Sequence, residues 1–187
     1  MNKNSNLLIL GAGQFGQVAK EVAESMGRFD RIAFLDDNSD QAIGKLEDHE
    51  KFVAEFSYAF VAIGNSDLRL KYIEKLEESC FVIAVLVSPK AYVSPSAQLM
   101  KGTIVAPGAV VNANSTVAVG CFVCAGATVD HNSFVGDGCQ LDCGSVLGSN
   151  AILLAKTKLN YNEVFDKDRA AIALQTSADC RKYGNGA

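Results

Sequence analysis

The sequence predicts two structural regimes in one chain: a parallel α/β unit over residues 1–88 and a triangular coil of parallel strands over residues 89–164. Three observations predict them. From Val93 to Leu159 every sixth residue is aliphatic without a break. Ahead of that stretch, short apolar runs alternate with glycine turns and helical spacing. The 187 residues are 49% hydrophobic and 20% charged, the balance of a globular chain with a core rather than a disordered one.

In the first unit, Asn6 to Leu10 reads as a strand, Gly11-Ala12-Gly13-Gln14-Phe15-Gly16 as a tight turn, and Val18, Val22 and Ala23 as the apolar face of a helix. A second strand, Arg31 to Leu35, ends in Asp36-Asp37, twenty residues past Gly16. An acid there can accept hydrogen bonds from a ribose or a base. A third strand, Tyr58 to Ile63, runs into Gly64-Asn65-Ser66-Asp67 and a helix with Leu68, Leu70, Tyr72, Ile73 and Leu76. Phe81 to Leu86 reads as a fourth strand, ended by Ser88-Pro89. So few residues make a half-size Rossmann-like unit, suited to one nucleotide.

In the second unit the aliphatic positions are Val93, Leu99, Val105, Val111, Val117, Val123, Val129, Val135, Leu141, Leu147, Leu153 and Leu159. Four residues after each stands a small residue, with only Glu163 breaking the pattern. Three after each stands Gly or Asn in ten of twelve cases, residues that tolerate positive φ. Neither a helix nor an alternating strand has this period. A coil of three short strands per turn does, its turns stacked at about 4.8 Å with the aliphatic residue inward. Residues 93–164 make four such coils, and 165–187 a terminal helix or tail, with Ala170 to Leu174 helical.

Composition narrows the partners. Seventeen Lys and Arg against 21 Asp and Glu leave a net charge of −4 with no basic block, which argues against nucleic acid. The longest apolar run, Cys80 to Val87, is eight residues, whereas a spanning helix needs about 20. No membrane segment is expected, and Leu7 to Leu10 is too short for a secretory core, so a cytoplasmic location is the expectation. Four of the six cysteines, Cys121, Cys124, Cys139 and Cys143, fall in one segment and read as reduced thiols, with Cys121 and Cys139 stacked inward. Two histidines are too few for a three-histidine zinc site, so no metal is expected. His49, inside Glu47-Asp48-His49-Glu50, reads as a solvated charge-run residue.

The repeat resembles the hexapeptide-repeat acyltransferases, which implies a fold of an α/β Rossmann-like half domain followed by a left-handed parallel β-helix. The glycine turn, Phe34-Leu35-Asp36-Asp37, Val61-Ala62-Ile63-Gly64-Asn65 and Val129-Asp130-His131-Asn132-Ser133-Phe134-Val135-Gly136-Asp137 resemble one branch more closely. It contains bacterial sialic acid O-acetyltransferases and N-acetyltransferases of nucleotide-linked amino sugars. That resemblance implies a homotrimer with its active site between subunits, acetyl-CoA as acyl donor, and a nucleotide sugar or sialic-acid-like sugar as acceptor in surface-polysaccharide synthesis. It assigns His131 as the base. It places Gly11, Gly13 and Gly16 near the phosphates, Asp36, Asp37 and Asn65 near the rest of the nucleotide sugar, and Gly126, Gly144 and Ser149 near acetyl-CoA.

The chemistry suits a single histidine, because the attacking amine or hydroxyl must lose a proton as it meets a thioester carbonyl. His131 stands two after the inward Val129 and should lie on the outer surface of the coil. Cys124 stands where the branch commonly has Asn, Asn132 where it has an acid, and Gln140 where it has a second histidine. With fewer coils expected after Leu147, these departures leave open a second reading, a catalytically weak relative acting as a binding or assembly subunit.

Overall fold

The computed structural model describes residues 5–166, and the terminal helix expected at Ala170 to Leu174 lies outside the described residues. The fold is an α/β unit followed by a left-handed parallel β-helix. Strands β1 (Leu7–Leu10), β2 (Ile32–Leu35), β3 (Tyr58–Val61) and β4 (Val82–Ile83) form a parallel sheet in the order β2-β1-β3-β4. Every residue of β1 is buried, because helices cover both faces of the sheet. Side chains alternate across a strand. Leu7 and Ile9 therefore pack in one cluster with Ala19, Val22 and Ala23 of α1 (Gln14–Met26), and Leu8 and Leu10 in another with Tyr72, Ile73 and Leu76 of α2 (Ser66–Glu78).

The expected fourth strand divides. Val82–Ile83 joins the sheet, and Leu86–Val87 becomes the first rung of the β-helix. The Ala84 amide still bonds Ala59 of β3 at 2.8 Å, whereas the Leu86 amide bonds Thr103 at 2.9 Å. One apolar run thus serves two sheets, and hydropathy alone could not show where the hydrogen-bond partner changes.

Among the described residues, two-residue strands then recur every six residues from Leu86–Val87 to Val164–Phe165 and stack into three faces. The first face carries Ile104–Val105, Phe122–Val123 and Gln140–Leu141. The second carries Val110–Val111, Thr128–Val129 and Val146–Leu147, and the third carries Thr116–Val117 and Phe134–Val135. No helix lies between residues 98 and 150. The inward Val and Leu form one buried column, each stabilising the coil by about 1.5–3 kcal/mol. The corners take left-handed backbone at Gly and Asn as expected, and also at Lys156 (φ 61°).

Two expectations about individual side chains are sharpened. Cys121 and Cys139 are fully buried, and each donates its thiol hydrogen to a corner carbonyl, Gly136 and Leu154, at 3.0 Å. Ser115 and Ser133 do the same to Asp130 and Gly148 at 2.6 and 2.7 Å. The small inward residue is therefore often polar because it satisfies a carbonyl of the next coil, which a packing argument misses. His49 is buried rather than solvated. The short 3₁₀ segment Leu46–Phe52 turns it inward, with Nδ1 3.0 Å from the Leu46 carbonyl oxygen and the ring edge-on to Tyr72.

Candidate functional site

The glycine turn sits between β1 and α1, at the carboxyl edge of the sheet, where a parallel α/β unit places its ligands. Gly16 answers to packing: a side chain there would drive a Cβ into the Gly11 carbonyl oxygen, whereas one on Gly13 would meet nothing within 4 Å. Gly13 precedes the first turn of α1, which no side chain caps and in which no acid stands. The amides and dipole of that turn can take an anion, and the space over Gly13 leaves the backbone open to one.

Asp36 belongs to the turn itself. Its Oδ2 accepts from the Ala12 amide at 2.8 Å and its Oδ1 from the Asn38 amide at 2.9 Å. Asp37 Oδ1 accepts from the Leu46 amide at 3.1 Å, and Asn65 Oδ1 caps α2 through the Leu68 amide at 2.9 Å. The structure thus gathers Gly11, Gly13, Gly16 and Asp36 around one loop, with Asn65 just past the adjacent strand β3, whereas Asp37 turns to the Leu46 amide in the segment after β2. These carboxylates and the Asn65 carbonyl already hold backbone.

A cavity of about 370 Å³ opens beside this loop, between α1 and the first face of the β-helix. Phe15 and Val18 line one side, and Phe122, Cys124, Asp142 and Tyr161 the other. This is the size of a small-ligand pocket. Burial pushes the Cys124 thiol up to about 12, so it stays protonated and is a poor nucleophile at neutral pH. Beneath the wall runs Arg69, fully buried. Its guanidinium lies 4.2 Å from the Phe122 ring centroid and donates to the carbonyls of Gly120 and Gly138 in the coil, and of Ile63 and Gly64 beside the cavity.

His131 lies at the corner between the second and third faces, with its side chain half exposed. Asp130 Oδ1 is 3.0 Å from His131 Nδ1, accepts from the His131 amide at 2.8 Å, and takes a third bond from Asn112 Nδ2 at 3.0 Å. The His131 amide, followed by its ring, holds the Asp130 carboxyl below the usual carboxylate range. With Nδ1–H given to Asp130, Nε2 is left as an acceptor facing away from the coil.

These pieces do not meet within one chain. The cavity and glycine turn lie against the first face, and the His131 corner is the prism edge opposite that face. The expected acetyl-CoA residues also divide. Gly126 and Gly144 stack at the edge between the first and second faces, and half-buried Ser149 stands one coil beyond His131. Sequence reasoning missed Arg69 and Asp142. An arginine on an amphipathic helix reads as solvated, and an acid in a repeat reads as outward; no local pattern marked either as buried. Among the described residues no group of three or more His, Cys, Asp or Glu could hold a metal, and no helix is long and apolar enough to cross a membrane.

Residues 6–76 match the family described as the PglD N-terminal domain. The chain is similar to the acetyltransferase domain of PglB from Neisseria gonorrhoeae FA1090, solved with acetyl coenzyme A, at 26% identity and TM-score 0.58, over 88% of this chain and 97% of that one. It is also similar to PerB from Caulobacter crescentus, solved with CoA and GDP-perosamine, at 23% identity and TM-score 0.66, over 85% and 90% of the two chains. WeeI from Acinetobacter baumannii AYE matches at 16% identity and TM-score 0.53, over 83% and 96%. These likenesses agree with the acetyltransferase fold that the sequence resemblance implies.

Proposed function

We propose that this protein transfers an acetyl group from acetyl-CoA to an amino or hydroxyl group of a nucleotide-linked sugar, in the cytoplasm, for a surface polysaccharide. The observation that carries this reading is the exposed His131 imidazole held through Nδ1 by Asp130, on a β-helix whose partner unit offers a phosphate cradle at Gly13. Residues 1–88 take the nucleotide sugar and 89–164 the acyl donor. The amides after Gly13 hold the phosphates, and Asp36, Asp37 and Asn65 shape the loop that receives the rest of the nucleotide. His131 Nε2 accepts the proton that the acceptor atom loses as it attacks the thioester carbonyl, and returns it to the departing thiolate. Because Asp130 fixes the ring, no reorientation is needed at that moment. The protonated Cys124 thiol favours direct transfer over an acyl-cysteine relay.

The separation of His131 from the cavity favours a homotrimer in which one copy supplies the cradle and its neighbour supplies His131. In the same arrangement Gly126 and Gly144 of one copy and Ser149 of the next would border the acetyl-CoA, which supplies the activated acyl carbon. A binding or assembly subunit without transfer is not the reading that the comparisons favour.

Co-expression of a His131→Ala chain with a Gly13→Val chain tests this. Each alone is inactive. Random mixing leaves about one site in four with both an intact cradle and an intact base, so about a quarter of parental activity returns. No recovery in purified mixed trimers, or a stable monomer by light scattering, would refute the shared site.

A further inference from the structure

Asn112 Nδ2 donates to Asp130 Oδ1 at 3.0 Å, and nothing in the backbone requires an asparagine there. The asparagines that the fold does require are Asn114, Asn132 and Asn150. They take left-handed backbone at φ 57–58° and stack in a side-chain ladder, Asn114 to Asn132 at 3.2 Å and Asn132 to Asn150 at 3.5 Å. Asn112 has no such backbone. It follows the inward Val111, one coil before Asp130 in the same column, and its amide bonds the Val129 carbonyl at 2.9 Å. The same position elsewhere in the repeat holds Ser94, Ala118 or Leu154, so the coil itself leaves the residue free.

Three donors meet at Asp130 Oδ1. Two of them, the His131 amide and Nδ1 of its ring, belong to the next residue. The Asp130 backbone is fixed, its amide on the Leu147 carbonyl at 2.9 Å and its carbonyl on the Ser115 hydroxyl at 2.6 Å. What remains free is rotation of the carboxylate. Among the described residues, Asn112 makes the one side-chain contact that holds this carboxylate from another coil. An ionised carboxylate only accepts hydrogen bonds, so the amide presents its nitrogen. After the His131 amide and ring, that bond adds to what keeps the carboxyl charged.

We propose that Asn112 is a positioning residue for the transfer reaction: it holds the Asp130 carboxylate against His131 Nδ1, so that the ring keeps its proton there and presents a bare Nε2 to the acceptor. This rests on the acetyl-transfer reading above, with His131 as the base. Asn112 acts through Asp130 rather than on the reacting atoms. Which ring nitrogen carries the proton is set by the bond that the other makes. A carboxylate that swings away leaves the proton shared between the two nitrogens, and a ring protonated at Nε2 cannot take the acceptor's proton.

The test uses the full-length protein. Asn112→Leu removes the donor at similar volume, and Asn112→Asp keeps the shape while setting like charge against Asp130. Nitrogen-15 spectra of the histidine rings, with His131→Ala identifying the His131 signals, read the tautomer of the neutral ring. The parent ring should carry its proton at Nδ1, and both variants should divide it between Nδ1 and Nε2. With acetyl-CoA and the nucleotide sugar that the parent accepts, kcat should fall about 5- to 20-fold, the worth of one charge-assisted hydrogen bond at a half-exposed site. KM for both substrates should stay within about twofold, because no ground-state contact is lost. In an Asp130→Ala background Asn112→Leu should cost nothing further, since the two side chains act as one unit. A variant that merely folds poorly loses rate in both backgrounds. Losses that multiply in the double variant, or an Asn112→Leu ring still protonated at Nδ1 alone, overturn the proposal. If the parent transfers acetyl to no nucleotide sugar, the underlying reading fails and takes this one with it; if the parent transfers and both variants match it in rate and tautomer, only the role of Asn112 fails.

Discussion

Replacing Arg69 by Met keeps a long apolar stem and removes the guanidinium that ties α2 to the coil. Nε donates to the Gly120 carbonyl at 2.7 Å, Nη2 to Gly138 at 2.8 Å, and Nη1 to Ile63 and Gly64 at 2.6 and 3.1 Å. The first two bonds lie in fully buried surroundings. Each buried carbonyl left without a donor costs about 1–3 kcal/mol. Two of them, with the weaker loss at Ile63 and Gly64, give about 3–6 kcal/mol. Burial disfavours the charged guanidinium itself, and relief of that penalty returns part of the sum. A net loss of about 2–4 kcal/mol remains, which for a chain of this size lowers the melting temperature by about 4–16 °C. Arg69→Lys keeps the charge without the planar fork and should fall between Met and the parent. Thermal and urea denaturation followed by circular dichroism reads both. A Met variant melting within about 2 °C of the parent would refute the clamp.

In the parent assay, His131→Ala should lower acetyl transfer by about 10²- to 10⁴-fold while nucleotide-sugar affinity measured by calorimetry holds. Gly13→Val should do the reverse, abolishing that affinity with little change in melting temperature, because its side chain meets only the space kept for a ligand. Gly16→Ala should instead destabilise the fold by several degrees, since its Cβ lands on the Gly11 carbonyl, and a scanning calorimeter separates the two glycines. The Tyr72 hydroxyl, raised to about 12 by burial and by its 2.8 Å bond to Glu47, binds its proton more tightly folded than unfolded. Its contribution is therefore complete below its ordinary value of about 10 and disappears as pH rises toward about 12. Urea midpoints of the parent and Tyr72→Phe should converge across that window, and a constant gap would sink the assignment.

The β-helix was legible in the residues because its rule is local. An aliphatic residue every six positions, with Gly or Asn at the corners, leaves one way to bury the column, and the coil repeats it from Leu86 to Phe165. The glycine turn was legible for the same reason: the close approach of Gly16 to Gly11 joins residues five apart in the chain. What tertiary structure alone decided are contacts made across long separations. Arg69 meets Gly120 and Gly138, Phe15 meets Phe122, and Asp142 is brought to the cavity wall opposite Val18. None of these follows from periodicity, because periodicity says which side of an element faces inward and not which other element it meets. His131 shows both sides of this. Its exposure follows from standing two after an inward valine, but its distance from the glycine turn is set by which face of the prism α1 covers. That choice was made by the packing of Ala19, Val22 and Phe15 against Leu86, Ile104 and Phe122.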